Sequence, residues 1–308
     1  MNPNGKPPRF QLTRALSATV DLFILLFAAA ALIFIEFFVD NVKRGFFCGD
    51  KSISFKRQTD TISIKIVILY GLIPILVLWI VEFIFIGELD ESQRSLKHKL
   101  KLSWRKAVHW FKDYGINLVL KLLVLDASKV LVGGHRPHFI DTCRPDTAIN
   151  CTIGEFVADF KCTNEEVSLY SLRDSSRSFP SGHASISVYT SLFLIWYLQC
   201  RIPKLQSIFL LPFIQCLLMV WTCLCSISRI TDNRHHWYDV LCGGLLGVIF
   251  AFYTCHILSN NFCKDKHRMT MSGVNGSSSS SSNNNRRSVR RLLSTISAKE
   301  EFTLNNLE

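Results

Sequence analysis

Long apolar runs bounded by charged or turn-forming residues recur six times along the chain, at 16–39, 62–87, 107–132, 185–200, 207–227 and 240–258. A helix that crosses a bilayer needs roughly 20 mostly apolar residues, so these runs predict an all-α fold, a six-span transmembrane helix bundle. The first run is of full spanning length and reads as a retained anchor rather than a cleavable signal. The run at 185–200 is short. The run at 107–132 departs most from the pattern, because it carries Lys112, Asp113, Lys121, Asp126 and Lys129. Such a segment is either an amphipathic helix on the membrane surface or a span whose ionisable groups face the bundle interior, where they mark function. Composition favours the membrane reading throughout. Hydrophobic residues make up 48% of the chain and charged ones only 19%, with 23 Phe and a mean hydropathy of +0.22, which excludes an ordinary soluble domain.

The net charge of +11 orients the bundle. Lys6, Arg9 and Arg14 precede the first run; Arg94, Lys97, Lys99, Lys101, Arg105 and Lys106 follow the second; Arg201 and Lys204 follow the fourth; Lys264, Lys266 and Arg268 follow the sixth. Six spans put all four groups on one side, which the positive-inside rule makes cytosolic. The basic balance is thereby accounted for without nucleic acid. Segments 40–61, 133–184 and 228–239 then face outward, toward the cell exterior or the secretory lumen. Asn150-Cys-Thr152 is a glycosylation acceptor of the kind that needs that side, whereas Asn275-Gly-Ser277 falls in the cytosolic tail and should stay unmodified. Of 11 cysteines, Cys48, Cys143, Cys151 and Cys162 are outward, where disulfides are permitted; their pairing has three solutions. The chain divides into a cytosolic N-terminus at 1–15, a membrane domain at 16–262 and a tail at 263–308. That tail is disordered by composition, its RRSVRR segment suited to anionic lipid and adjustable at Ser288.

The chemistry gathers in three places that this topology brings to the outer face. Lys129 closes the third run, Gly133 and Gly134 end its helix, and Arg136 follows; two cations on a loosened turn suit a phosphate. Pro180, Ser181, Gly182 and His183 open the fourth run, where free N–H groups of a helix start bind anions and glycine allows close approach. Ser228 and Arg229 precede His235 and Asp239, four apart and so on one helical face, where a carboxylate orients one ring nitrogen and frees the other as nucleophile. His236, three residues from Asp239, competes for that role. Singly, these clusters also read as snorkelling cations, a plain cap and a structural pair. Three on one face do not.

Together they spell K-x6-RP, PSGH and SR-x5-H-x3-D, as Lys129…Arg136-Pro137, Pro180-Ser-Gly-His183 and Ser228-Arg229…His235…Asp239. This pattern resembles the type 2 phosphatidic acid phosphatase superfamily. GGHRPHF at 133–139, FFCGDKSI at 46–53 and RHHWYDV at 234–240 are similar to its lipid phosphate phosphatase (phospholipid phosphatase) subgroup. The similarity runs from about residue 40 to 258. Gly134 and His135 depart from the subgroup's usual GRLRPHF, but not at a charged position.

The resemblance implies hydrolysis of lipid phosphate monoesters: phosphatidate, lysophosphatidate, sphingosine 1-phosphate and ceramide 1-phosphate. His235 would attack phosphorus to give a phosphohistidine, Asp239 would orient it, and His183 would protonate the leaving alkoxide and then activate water. Lys129, Arg136, Arg229, Ser181 and the Gly182 backbone would hold the phosphate oxygens. Opposite protonation states for His235 and His183 imply a bell-shaped pH profile. Three cations leave Mg²⁺ no task, and no cofactor is expected. The expected partners are lipid phosphates and membrane lipids, with self-association left open. The expected place is the plasma membrane with an extracellular site, or the endoplasmic reticulum or Golgi with a lumenal one. A catalytically silent scaffold and a lipid headgroup transferase are the alternatives.

Overall fold

The computed structural model describes residues 8–89, 95–202 and 208–262, apart from the side chains of 8–15, 17, 18 and 85–89. The tail at 263–308, with Asn275 and Ser288, and the charges Lys6, Arg94 and Lys204 lie outside the described residues. Each of the six apolar runs falls in a long helix: α1 Pro8–Phe38, α2 Ile64–Leu89, α3 Leu96–Val132, α6 Gly182–Arg201, α7 Leu210–Thr231 and α8 Trp237–Phe252, the last continued by a π-helical turn over Tyr253–Leu258. The chain is therefore mostly helical. Four stretches are long and apolar enough to cross a membrane, Thr19–Phe38, Ile64–Ile84, Leu210–Thr231 and Trp237–Leu258. They turn large apolar side chains such as Phe23, Phe27, Phe213 and Leu245 outward, the inverse of a soluble protein.

The two long helices outside that set, α3 and α6, are polar because they are interior. Ser103, Ala107, Trp110, Tyr114, Asn117, Lys121 and Leu125 are buried at helical spacing along α3, so its polar stripe faces the bundle rather than a membrane surface. α6 packs against α2, α7 and α8. Ser191 and Thr190 bond neighbouring helices: Tyr70 with Ser191 at 2.6 Å, Ser191 with Thr222 at 2.6 Å, and Tyr114 with Thr190 at 2.8 Å. A helix surrounded by protein has no need to be apolar all round. Its contact with α8 depends on glycine. A side chain at Gly243 would run into the Ser181 carbonyl, and one at Gly247 would sit 2.8 Å from the Ser185 carbonyl. The opposite end is clamped by buried Glu82, which accepts from Arg201 at 2.7 and 2.8 Å, Tyr197 at 3.1 Å and Trp110 at 3.2 Å.

The segments joining these helices at the other end carry the short elements β1 Phe46–Phe47, α4 Phe139–Cys143, β2 Phe156–Val157 and α5 Leu169–Asp174. β1 pairs antiparallel with β2 over a small core of Phe46, Ile53 and Phe139. Of the three cysteine pairings open to the sequence, the chain adopts Cys48–Cys151 and Cys143–Cys162. Arg177 ties this layer to α1 through Glu36 at 2.9 Å, Asn41 at 2.6 Å and the Val39 carbonyl at 2.9 Å.

Candidate active site

α3 ends because Gly133 takes a left-handed conformation, φ 57°, and its N–H caps the Lys129 carbonyl. That stop delivers Lys129 on the last helical turn and frees the chain to carry Arg136 back over the helix end. Gly182 starts α6 and sets His183 in its first turn, with Ser181 as cap. Arg229 occupies the last turn of α7, and a tight reversal brings His235 to the start of α8. Lys129, Arg136, Gly182, His183, Arg229 and His235 all line one cavity of about 440 Å³. Ile64, Ile68, Leu122 and Leu125 form its apolar wall.

Three of the cations here are already held by carboxylates. Lys129 Nζ lies 2.9 Å from Asp126, Arg136 Nη2 2.6 Å from Asp174, and Arg229 bonds Asp60 at 3.0 Å and Asp232 at 2.9 Å. Arg234 Nε forms an ion pair with Asp60, 2.9 Å away. These pairs fix the geometry of the cradle before any ligand enters.

His235 is buried, and its Nδ1–H donates to the Ser178 carbonyl at 2.7 Å. A carbonyl can only accept, so the proton resides on Nδ1 and the Nε2 lone pair is free. The expected hydrogen bond from His235 to Asp239 is replaced: Asp239 Oδ2 stands 3.9 Å from His235 Nδ1 and accepts instead from Ser178 Oγ at 2.5 Å and the His236 N–H at 3.0 Å. Asp239, as the N3 residue of α8, is drawn into a capping box with His236, which holds it one contact away from His235. It reaches the ring by charge and through Ser178. His236, the competing histidine, is spent on that box. Ser181 is fully buried, its N–H donating to the Asp239 carbonyl at 3.0 Å, and its hydroxyl has no hydrogen-bond partner among the described residues. Gly182 stands beside the lysine: a Cβ there would make ordinary contacts with Leu125 at 3.7 Å and Lys129 Nζ at 3.9 Å.

The protein's own groups disfavour protonated imidazole. Burial, then Arg136, coupling to the neighbouring His183 ring, and Lys129, pushes His235 well below the ordinary histidine value. His183 stands ahead of the apolar run at 185–200; burial, then the Arg229 guanidinium, lowers it to about 4, with Asp60 acting in the opposite sense. Among the described residues no group of three or more His, Cys, Asp or Glu side chains is arranged to hold a metal ion. Asn150 is exposed, beside the Cys48–Cys151 disulfide.

Asp60, Asp174 and Ser178 belong to the site but not to the sequence motifs. They reach it through contacts across 38 to 169 residues of chain, which no local spacing encodes. Asp232 alone had a readable signal, an acid three residues after Arg229.

The PAP2 superfamily model matches residues 110–263, half of the chain. A putative phosphatidate phosphatase of Drosophila melanogaster is 31% identical over 263 residues, covering 80% of this chain and 69% of the relative. Phospholipid phosphatase 1 of Mus musculus is 31% identical over 267 residues, 84% of this chain and 89% of the relative. Phospholipid phosphatase 2 of Bos taurus is 29% identical over 250 residues, 79% and 83% respectively. No solved structure matches the chain. With the family motifs gathered on one cavity and similarity of this extent, the chain belongs to the PAP2 superfamily and is one of its phosphatases.

Proposed function

We propose that the protein is an integral membrane lipid phosphate phosphatase that spans the bilayer six times and acts at the extracellular or lumenal face. Its substrates are phosphate monoesters of lipids: phosphatidate, lysophosphatidate, sphingosine 1-phosphate and ceramide 1-phosphate. One observation carries the reading. Two imidazoles and the cations Lys129, Arg136 and Arg229, from separate stretches of chain, line a single cavity that also has an aliphatic side of Ile64, Ile68, Leu122, Leu125 and Ile186. A phosphate gripped by the cations leaves its tail to run along Ile64, Ile68 and Leu122 toward lipid, an anchor that water-soluble phosphates lack. The names of the Drosophila and mouse relatives support the same substrate class. Sidedness is supported by chemistry: both disulfides tie the loops at the cavity end, and disulfides persist in oxidising compartments such as the cell exterior or the secretory lumen. The plasma membrane, endoplasmic reticulum and Golgi all fit.

In this reading His235 Nε2 attacks phosphorus and the bond to the lipid oxygen breaks, giving a phosphohistidine. His183 gives its proton to the departing alkoxide, then takes one from the water that releases phosphate. Burial and the Arg229 guanidinium disfavour the charged form of His183; a phosphate dianion beside it reverses the balance of charge and supplies the proton affinity the step needs. Lys129, Arg136 and Arg229 hold the oxygens, Gly182 admits them, and Ser181 offers its unpartnered hydroxyl. Asp239 steadies the positive charge that grows on His235. The reaction needs no Mg²⁺, because Asp60, Asp126 and Asp174 are each engaged by an arginine or lysine rather than grouped as metal ligands.

Phosphate release from a panel of lipid phosphates tests the proposal. Wild type should release phosphate, EDTA should leave the rate unchanged, and His235→Ala should lower it by roughly 10³-fold or more with insertion intact. A silent scaffold or a headgroup transferase would release none.

A further inference from the structure

Arg229 is held on every edge of its guanidinium. Nε donates to Ser228 Oγ at 3.3 Å, Nη2 to the Ile62 carbonyl and Asp232 Oδ2 at 2.9 Å each, and Nη1 to Asp60 Oδ1 at 3.0 Å, with His183 Nε2 3.4 Å away. His183 Nε2 accepts only while it is unprotonated, so one Nη1 N–H is open to a phosphate beside a protonated His183, and a phosphate that takes a second N–H must release a partner. Ser228, Asp232 and the Ile62 carbonyl are poor candidates: the first two are buried at the end of α7 itself, and the third is backbone. Asp60 is different. Its side chain is 36% exposed, it lines the cavity, and its Oδ1 accepts from Arg229 Nη1 and forms an ion pair with Arg234, whose Nε lies 2.9 Å away. A carboxylate oxygen between two guanidiniums, facing the cavity, stands where a ligand oxygen would stand.

An anion takes that place only if it offers the cations more than Asp60 does. A phosphate monoester, with roughly −1.5 to −2 charges and three terminal oxygens, does so. A phosphate diester, with one charge and two free oxygens, matches the carboxylate without exceeding it. The diesters are the bulk phospholipids of the bilayer onto which the cavity's aliphatic wall opens. Resting on the lipid phosphatase reading, we propose that Asp60 is a specificity-determining residue, a placeholder carboxylate that yields Arg229 to phosphate monoesters and turns diesters away.

The test is competition in mixed micelles: full-length protein, phosphatidate as substrate, phosphatidylglycerol as competing diester, phosphate release as readout. Wild type should be nearly indifferent to phosphatidylglycerol. Asp60→Asn should be inhibited by it at concentrations about tenfold lower, with a smaller change in KM for phosphatidate, because a like charge that repelled the wrong anion is gone. Asp60→Glu should restore the indifference, which a merely structural role would not require. Unchanged diester sensitivity in Asp60→Asn, or equal shifts for both lipids, overturns the proposal. So does failure of both Asp60→Asn and Asp60→Ala to fold, since a carboxylate the fold requires cannot be exchanged. No phosphate release by wild type would instead sink the phosphatase reading on which this one rests.

Discussion

At the scale of the residue, reactivity follows from which nitrogen is tied down. Ser178 holds His235 by Nδ1 and so presents Nε2 to the cavity, while burial keeps that nitrogen unprotonated. Both active-site rings, together with buried His138, which is lowered to about 4 by burial and then Arg136, bind protons less readily than in the unfolded chain. The sign follows: as pH falls below about 6.5, the unfolded chain takes up protons first, so folding stability is complete above that value and is lost progressively toward pH 4. The thermal midpoint of the detergent-solubilised protein should fall across this window. Inorganic phosphate should lessen the fall, because its negative charge restores proton affinity to His183 and His235. A midpoint flat from about pH 7 to pH 4 would contradict the burial of these rings. Lys129, Arg136, His183, Arg229 and His235 were legible in the sequence because each belongs to a short spacing with its own chemical sense. Their partners Asp60, Asp174 and Ser178 were not, since only the fold brings them near. The partner of His235 was misread for a local reason: i,i+4 spacing suggests an Asp239 hydrogen bond, and the capping box at the start of α8 outcompetes it.

At the scale of the element, the six helices were legible from apolar runs, and two of their ends, the stop of α3 at Gly133 and the start of α6 at Ser181, from glycine and capping residues. The interior helices were the weakest to read for a physical reason. α3 and α6 bury polar faces against other helices, so their runs look short or charged while the lipid-facing runs look clean. The closest helix contact depends on Gly243, where an added Cβ meets the Ser181 backbone, which cannot move aside as a side chain would. Gly243→Ala should therefore shift the start of α6, carrying Gly182 and His183 off their positions. We expect phosphate release to fall by about 10²-fold, the usual cost of a displacement near 1 Å at a reacting centre. Gly244→Ala, whose Cβ would meet only the Val188 side chain at 3.8 Å, should be nearly silent. Equal activity in the two variants would mean that the α6–α8 contact does not position the site.

At the scale of the molecule, the bundle brings three loop regions to one end, and disulfides with a small aromatic core hold them there. The cations arrive pre-paired, His235 arrives with Nε2 free for the attack we propose, and Ile64, Ile68, Leu122 and Leu125 line one side of the same cavity. The central claim is that a lipid phosphate is transferred to one nitrogen of His235. Its most direct measurement is a rapid alkaline quench of the protein with ³²P-phosphatidate, followed by mapping of the label, since phosphohistidine survives alkali and is lost in acid. The account predicts label on His235, absent from His235→Ala and retained longer in His183→Gln, where the water step is slowed. Label on another residue, or full phosphate release by His235→Ala, would contradict it.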